Sequence, residues 1–324
     1  MDTTKKEVLL VGPLKPVVIR GLDGPCTLYK LATASDPDAF IAKYAHVRAI
    51  ACSDTREAIP GSLMARFPEL QIVSSFGVGY DHMDVKWAAA HNVILTNTPG
   101  VLTEEVADTA LGLLLCTVRE FPQADRYVHA GKWTEKAYPL TKASLRDRTV
   151  GLVGMGAIGQ AIARRLDAMK VPVDYHTRQK RDGLPYRHYP KLIDMARDVD
   201  ILLAIVPGGA GTANMINADV LNALGPRGIL INMARGSVVD ELALIKALRE
   251  KRIMSAGLDV FANEPEVPHE LRTMENVVLF PHLGSASVVT RERMDQLMVD
   301  NILAWAAGQP PLTPVSETPW RSWN

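Results

Sequence analysis

The sequence lacks an excess of either charge. Lysine and arginine number 36, and aspartate and glutamate also number 36. That balance removes the basic footprint of a nucleic-acid binder and the acidic bias of a disordered chain. Cysteine is scarce, with Cys26, Cys52 and Cys116 far apart in the chain. An odd number of cysteines is a poor disulfide framework, and no pair has metal-ligand spacing. They read as reduced core thiols, with no metal expected. No apolar run approaches the ~20 residues of a membrane helix. The opening "MDTTKKEVLL" has no apolar core of signal-peptide length. The expectation is a cytoplasmic protein with no membrane or nucleic-acid partner. Internal repeats and low-complexity tracts are also absent, apart from a proline-rich tail at Pro310 to Pro319.

What is present is a globular composition, 47% hydrophobic and 22% charged, in 324 residues. That length accommodates two ordinary domains. Val8 to Val11 and Val17 to Ile19 are short apolar runs, each ended by proline or glycine. Val47–Cys52 and Leu70–Ser75 read as buried strands, with helices over Asp36–Tyr44 and Pro60–Phe67. Thr103, followed by acidic residues, opens a long apolar helix through about Thr117. A second alternation has six predicted strands, "TVGLV", "VPVDYH", "ILLAIV", "GILINM", "SAGLDV" and "NVVLF". Predicted helices at Ala157–Met169, Pro190–Arg197, Ala218–Leu224 and Val238–Lys251 separate them. Strands alternating with helices specify parallel α/β sheets. A last amphipathic helix, about Ser287 to Ala307, has no sheet after it and is expected to return to the first block. The predicted fold is α/β, with two doubly wound parallel-sheet domains. A Rossmann dinucleotide-binding domain (102–284) is inserted into a discontinuous flavodoxin-like domain (1–101 plus 285–324).

"GMGAIG" places Gly154, Gly156 and Gly159 in a G-x-G-x-x-G pattern between a strand and a helix. The first glycine permits the turn, the second lets backbone approach a pyrophosphate, and the third packs helix on strand. The anion then sits at a helix N-terminus. In such sites a carboxylate ~20 residues further on binds the ribose 2′-OH. Here "YHTRQKR" places neutral Thr177 at the strand end, followed by Arg178, Lys180 and Arg181. Cations hold a 2′-phosphate that a carboxylate would repel, so this turn favours NADPH. NADH is the alternative, with Asp174 or Asp182 as the ribose ligand, and the turn would then be merely solvated.

Three further motifs follow apolar strands: "NMARGSVVDELAL", "GLDVFANEPEVP" and "LFPHLGSAS". Ligands of doubly wound sheets bind beyond the carboxyl ends of strands, where Arg235, Glu264 and His282 could converge. An arginine fork suits a carboxylate and an adjacent carbonyl. A histidine can give a proton to that carbonyl oxygen. A carboxylate on the other ring nitrogen orients the imidazole and favours its charged form. Taken singly, each residue also has an ordinary structural reading as a salt-bridge partner, a loop cap or a satisfied core histidine.

The order of glycine loop, Arg-Gly, Glu-Pro and Pro-His-x-Gly-Ser resembles the D-isomer-specific 2-hydroxyacid dehydrogenases over nearly the whole chain. "SFGVGYDHMDV" is similar to their substrate loop and "NTPGVLTEEVAD" to their interdomain segment. Within the family the chain is most similar to glyoxylate/hydroxypyruvate reductases, with the hydroxyphenylpyruvate reductase branch included. The resemblance implies Arg235, Glu264 and His282 as the catalytic set. It implies that Val78 and Gly79 meet the substrate carboxylate, and that Ala157 and Ile158 lie at the pyrophosphate. Val206, Pro207 and Thr212 would lie near the adenosine, Met233, Ala234, Arg235 and Asp259 near the nicotinamide end, and His282 and Gly284 would also contact the cofactor, Gly284 by its backbone. It also implies a homodimer through the segment from about Leu102 to Leu140. Trp133 does not occupy the place of the partner-reaching tryptophan of some relatives; it reads as a packing residue, and Tyr138 comes nearer that place. The implied reaction is NADPH-preferring reduction of small 2-keto acids to D-2-hydroxy acids. Its rivals are a reductase of larger keto acids (2-ketogluconate or aryl pyruvates) and a nucleotide-sensing corepressor-like protein.

Overall fold

A computed structural model describes residues 5–320. The chain divides into two compact units, Met1–Leu102 with Ser287–Asn324, and Thr103–Ala286.

The first unit holds a parallel sheet of strands β1 (Lys6–Val11), β2 (Cys26–Lys30), β3 (Ala49–Cys52), β4 (Ile72–Ser75) and β5 (Ile94–Thr96), in the order β2-β1-β3-β4-β5. β3, β4 and β5 are buried at every residue. A strand covered on both faces has no solvent side, which is why these read as continuous apolar runs. The run at Val17–Ile19 lies in a helix, Pro16–Leu22, with proline in its first turn. Proline is pre-set for that position and has no N–H to lose there. The helix predicted over Pro60–Phe67 is a single turn, Gly61–Met64. The last helix, Val288–Ala306, belongs to this unit. Ser74 Oγ donates to the Met298 carbonyl at 3.0 Å, and Trp305 Nε1 donates to Gln71 Oε1 at 2.8 Å.

The second unit holds seven parallel strands: β6 (Val150–Val153), β7 (Val173–His176), β8 (Arg187–Tyr189), β9 (Ile201–Ala204), β10 (Ile229–Asn232), β11 (Ser255–Leu258) and β12 (Val277–Leu279). Their order is β12-β11-β10-β9-β6-β7-β8. The order reverses between β6 and β9, and the crevice at such a reversal is where doubly wound sheets bind nucleotides. Six of these strands lie within the six predicted from the sequence. The seventh, β8, is polar and three residues long, and no periodicity marks it. Cys26 and Cys52 are buried free thiols, as expected, while Cys116 is only partly buried. Burial pushes the Cys52 thiol up to about 12. No helix among the described residues is long and apolar enough to cross a membrane.

Candidate active site

The glycine loop leaves β6 with Gly154 at φ +110°. A Cβ there would lie 2.7 Å from the Ile205 carbonyl oxygen, and one on Gly159 would lie 2.5 Å from the Gly154 oxygen. Those two glycines are demanded by the chain itself. Gly156 has nothing within 4 Å of its missing Cβ, so its bare backbone faces open space. It is also the N-cap of the Ala157–Ala168 helix. Without a capping side chain, the first-turn N–H groups are available to an anion. Ala157 is exposed and Ile158 half-buried on that turn. The geometry fits a dinucleotide pyrophosphate.

Thr177 directly follows β7, and Arg178, Lys180, Arg181 and Asp182 are exposed beyond it. Asp174 lies inside the strand, paired in register with Arg187 of β8. Burial holds its carboxyl above the usual range, with the Arg187 charge pulling the other way; the Tyr189 hydroxyl and the Arg187 guanidinium themselves reach Asp198, at 2.6 and 3.3 Å. Asp174 thus lies within the strand, two residues short of its carboxyl end. After β9, Val206 is half-buried and Pro207 exposed. Thr212 Oγ1 donates to the Pro207 carbonyl at 2.7 Å, fixing that loop from within.

Arg235 stands on the loop after β10. Buried Asn232 brackets this loop: its Nδ2 donates to the Arg235 carbonyl at 3.0 Å, and its Oδ1 accepts from Ala234 N–H at 3.1 Å. Met233 and Ala234 are buried, and Arg235 is half-exposed. At Gly236 a Cβ would sit 1.9 Å from the Phe261 carbonyl carbon, so this loop lies directly on the one after β11. There Phe261 N–H donates to Glu264 Oε1 at 3.1 Å. Glu264 Oε2 lies 2.7 Å from His282 Nδ1. A carboxylate there accepts, so the proton is on Nδ1. His282 has φ +55°, and its N–H donates to the Asp259 carbonyl at 2.8 Å. The buried Asp259 carboxylate accepts from Leu283 N–H at 2.6 Å and Gly284 N–H at 2.9 Å. Three loops thus interlock, and Arg235, Glu264 and His282 come together with Asp259 and Gly284 beneath them.

Electrostatics separates the two carboxylates. Burial raises Asp259, outweighing its two N–H donors and the His282 charge. Burial also pushes Glu264 upward. The His282 hydrogen bond and charge, the Phe261 N–H and Arg235 more than offset that, so its carboxyl lies below the usual range.

Val78 and Gly79 lie in the other unit, on the loop after β4, and are half-exposed. Gly77 has φ +105° and donates its N–H to Thr98 Oγ1 at 3.0 Å. Asn97 Nδ2 donates to the Val78 carbonyl at 2.8 Å. Sequence reasoning missed Asn97, Asn232 and Gly236. An Asn directly after or ending an apolar strand was the available signal, since its side chain readily bonds nearby backbone. Trp133 is corrected: it is 66% exposed and does not pack in the described chain. Tyr138 packs instead, edge-on to Tyr127 at 5.2 Å, with its hydroxyl 3.3 Å from Glu120 Oε2.

The family model for the D-isomer specific 2-hydroxyacid dehydrogenase NAD binding domain matches residues 111–284. The chain belongs to this family. The dehydrogenase is 49% identical to NADPH-dependent glyoxylate/hydroxypyruvate reductase from Sinorhizobium meliloti, solved with NADP and malonate. The match covers 99% of this chain and 100% of that one, with a TM-score of 0.93. It is 39% identical over 308 residues to glyoxylate/hydroxypyruvate reductase A HPR2 of Arabidopsis thaliana, covering 95% of this chain and 98% of that protein. It is 40% identical over 308 residues to hydroxyphenylpyruvate reductase of Plectranthus scutellarioides, with the same shares covered.

Proposed function

We propose that the dehydrogenase is an NADPH-preferring reductase of glyoxylate and hydroxypyruvate, giving D-2-hydroxy acids. The observation that carries this is the 2.7 Å His282–Glu264 pair on a loop interlocked with that of Arg235, in a sheet that also carries a bare glycine cradle. The names of the Sinorhizobium and Arabidopsis relatives support the choice of substrate.

A reduced nicotinamide, when bound to this sheet, would supply the hydride for the keto carbon. Gly154, Gly156, Ala157, Ile158 and Gly159 hold its pyrophosphate, and Val206, Pro207 and Thr212 flank the adenosine. Met233, Ala234, Asp259 and Gly284 line the nicotinamide end. Arg235 binds the substrate carboxylate and polarises the neighbouring carbonyl, and Val78 and Gly79 offer backbone N–H groups to the carboxylate. His282 keeps one proton on Nδ1, shared with Glu264, and delivers the other from Nε2 to the carbonyl oxygen. General-acid transfer of this kind is worth about 10²–10⁴ in rate. Thr177, Arg178 and Lys180 take the 2′-phosphate, a reading supported by the place of Asp174 inside β7, short of the strand's carboxyl end. The working assembly is a homodimer through the segment from about 102 to 140.

The Plectranthus relative favours a second reading, reduction of aryl pyruvates. Initial rates with NADPH and with NADH, each against glyoxylate, hydroxypyruvate, 2-ketogluconate and phenylpyruvate, decide between them. NADPH preference with the two small acids is the expected result. Turnover of the bulky acids alone would keep the catalytic set and remove the glyoxylate assignment. No turnover with any acid would favour a nucleotide-sensing protein.

A further inference from the structure

The basic turn is more tightly built than a solvated loop requires. Tyr175 is completely buried in β7. Its hydroxyl accepts from the Arg181 N–H at 2.9 Å and donates to the Arg181 carbonyl at 3.4 Å. One buried hydroxyl thus fixes the far end of the turn. The near end is fixed by His188 of β8, whose Nε2 lies 2.9 Å from the Thr177 carbonyl oxygen. A carbonyl only accepts, so Nε2 carries the proton. The Tyr175 and His188 rings touch, with centroids 5.0 Å apart at 46°. Between the ends, Thr177 Oγ1 donates to the Gln179 carbonyl at 2.6 Å. His176 adds a reciprocal bond, with Nδ1 2.8 Å from the Tyr189 carbonyl oxygen, so β8 is tied to β7 beside the turn.

We propose that Tyr175 and His188 are positioning residues that hold the 177–181 turn in the shape that selects a 2′-phosphorylated cofactor. The proposal rests on the NADPH reading above and adds the device that makes it selective. Arg178 and Lys180 are exposed on the pinned backbone. Among the described residues neither makes an ion pair, so no described carboxylate holds their charge. Ordering a loop on binding consumes affinity, and a turn fixed beforehand avoids that cost. The short polar strand β8 gains a purpose from this. Its three residues bury one side chain only, yet it delivers His188 to the turn. Neither residue needs to touch the cofactor.

The test compares the ratio of kcat/KM for NADPH to that for NADH in the full-length enzyme. Inhibition by adenosine 2′,5′-bisphosphate and by AMP, which differ by the 2′-phosphate, gives a second readout free of turnover. Tyr175→Phe keeps the buried ring and removes only the hydroxyl. His188→Ala removes the donor, and His188→Gln returns an N–H donor. Loss of one such hydrogen bond is expected to lower the cofactor ratio about three- to tenfold. Binding of the bisphosphate should weaken by a similar factor, AMP should change less, and His188→Gln should recover much of the loss. An equal fall for both cofactors, or for both inhibitors, would make the pair a plain structural contact and overturn the proposal. An unchanged ratio in Tyr175→Phe and His188→Ala, with a lowered one in Arg178→Ala, would also overturn it while leaving the NADPH reading intact. A wild-type enzyme without NADPH preference would remove both.

Discussion

Glu264 has two oxygens and two fixed donors. Oε1 accepts from the Phe261 N–H and Oε2 from His282 Nδ1. Glutamine at this position presents one acceptor and one NH₂ group, so either a donor faces a donor or the imidazole moves its proton to Nε2 and accepts at Nδ1, the wrong tautomer for a general acid. Glu264→Gln is therefore expected to cost about 1–3 kcal/mol for the unsatisfied group and to lower kcat by about 10²–10⁴ as the imidazole loses its orienting partner. The pH dependence has a definite sign. The folded carboxyl lies below its ordinary value, because the contacts with His282, Phe261 N–H and Arg235 together outweigh burial. Its contribution to stability is then present above the unfolded value of about 4.3 and is lost as pH falls through the folded value. Thermal unfolding across that acid range should show the wild-type Tm falling more steeply than that of Glu264→Gln. A gap between the two that does not change with pH would show that the carboxylate is not coupled in this way. Glu264, Arg235 and His282 were picked out by the family resemblance of their motifs, since spacing alone left each an ordinary structural reading; the structure sets Glu264 and His282 2.7 Å apart. Asn232 was not, because its work is to bracket two backbone groups of its own loop. Its place at the end of an apolar strand was the one signal available.

At the scale of elements, the site depends on loops from different strands lying on one another. Gly236 is where this is tightest, since a Cβ would meet the Phe261 carbonyl carbon and oxygen, each at 1.9 Å. Those are backbone atoms and cannot rotate away. Gly236→Ala should cost about 1–3 kcal/mol, the usual range for overpacking. Because the collision separates the Arg235 loop from the Glu264 loop, activity should fall at temperatures where circular dichroism still shows a folded protein. Activity lost only in step with unfolding would mean that the loops tolerate the shift. The same scale explains what the sequence revealed of the fold. β6, β9 and β10 are apolar and fully buried, so both faces are covered and the run is conspicuous. β8 lies at the sheet edge and β2 is mostly half-buried; their polar residues suit one wet side and blur the pattern. The Gly236 contact lay beyond sequence reading altogether, because it joins residues 25 apart through backbone shape alone.

For the molecule as a whole, the remaining question is self-association. Ten large hydrophobic side chains are exposed among the described residues, and four of them, Phe121, Val128, Trp133 and Leu140, fall in one stretch of chain. Scattered exposed apolar residues need no explanation; four within the stretch of the proposed contact make that stretch the place to test it. Leu140 is 97% exposed and Trp133 66%, so neither contributes much to the core of its own chain. The sequence has no net charge at pH 7, so no overall repulsion opposes pairing. The proposed homodimer is expected to show a light-scattering mass of about 71 kDa, twice the 35.4 kDa chain. A Trp133→Asp, Leu140→Asp double variant should shift that mass toward the single chain, because two carboxylates would be desolvated in each copy's half of the contact. Its circular dichroism should remain that of the wild type, since both side chains are exposed. A wild type of single-chain mass would remove the dimer from the proposal. A double variant that stays dimeric would place the contact on another surface and leave the exposed stretch without this role.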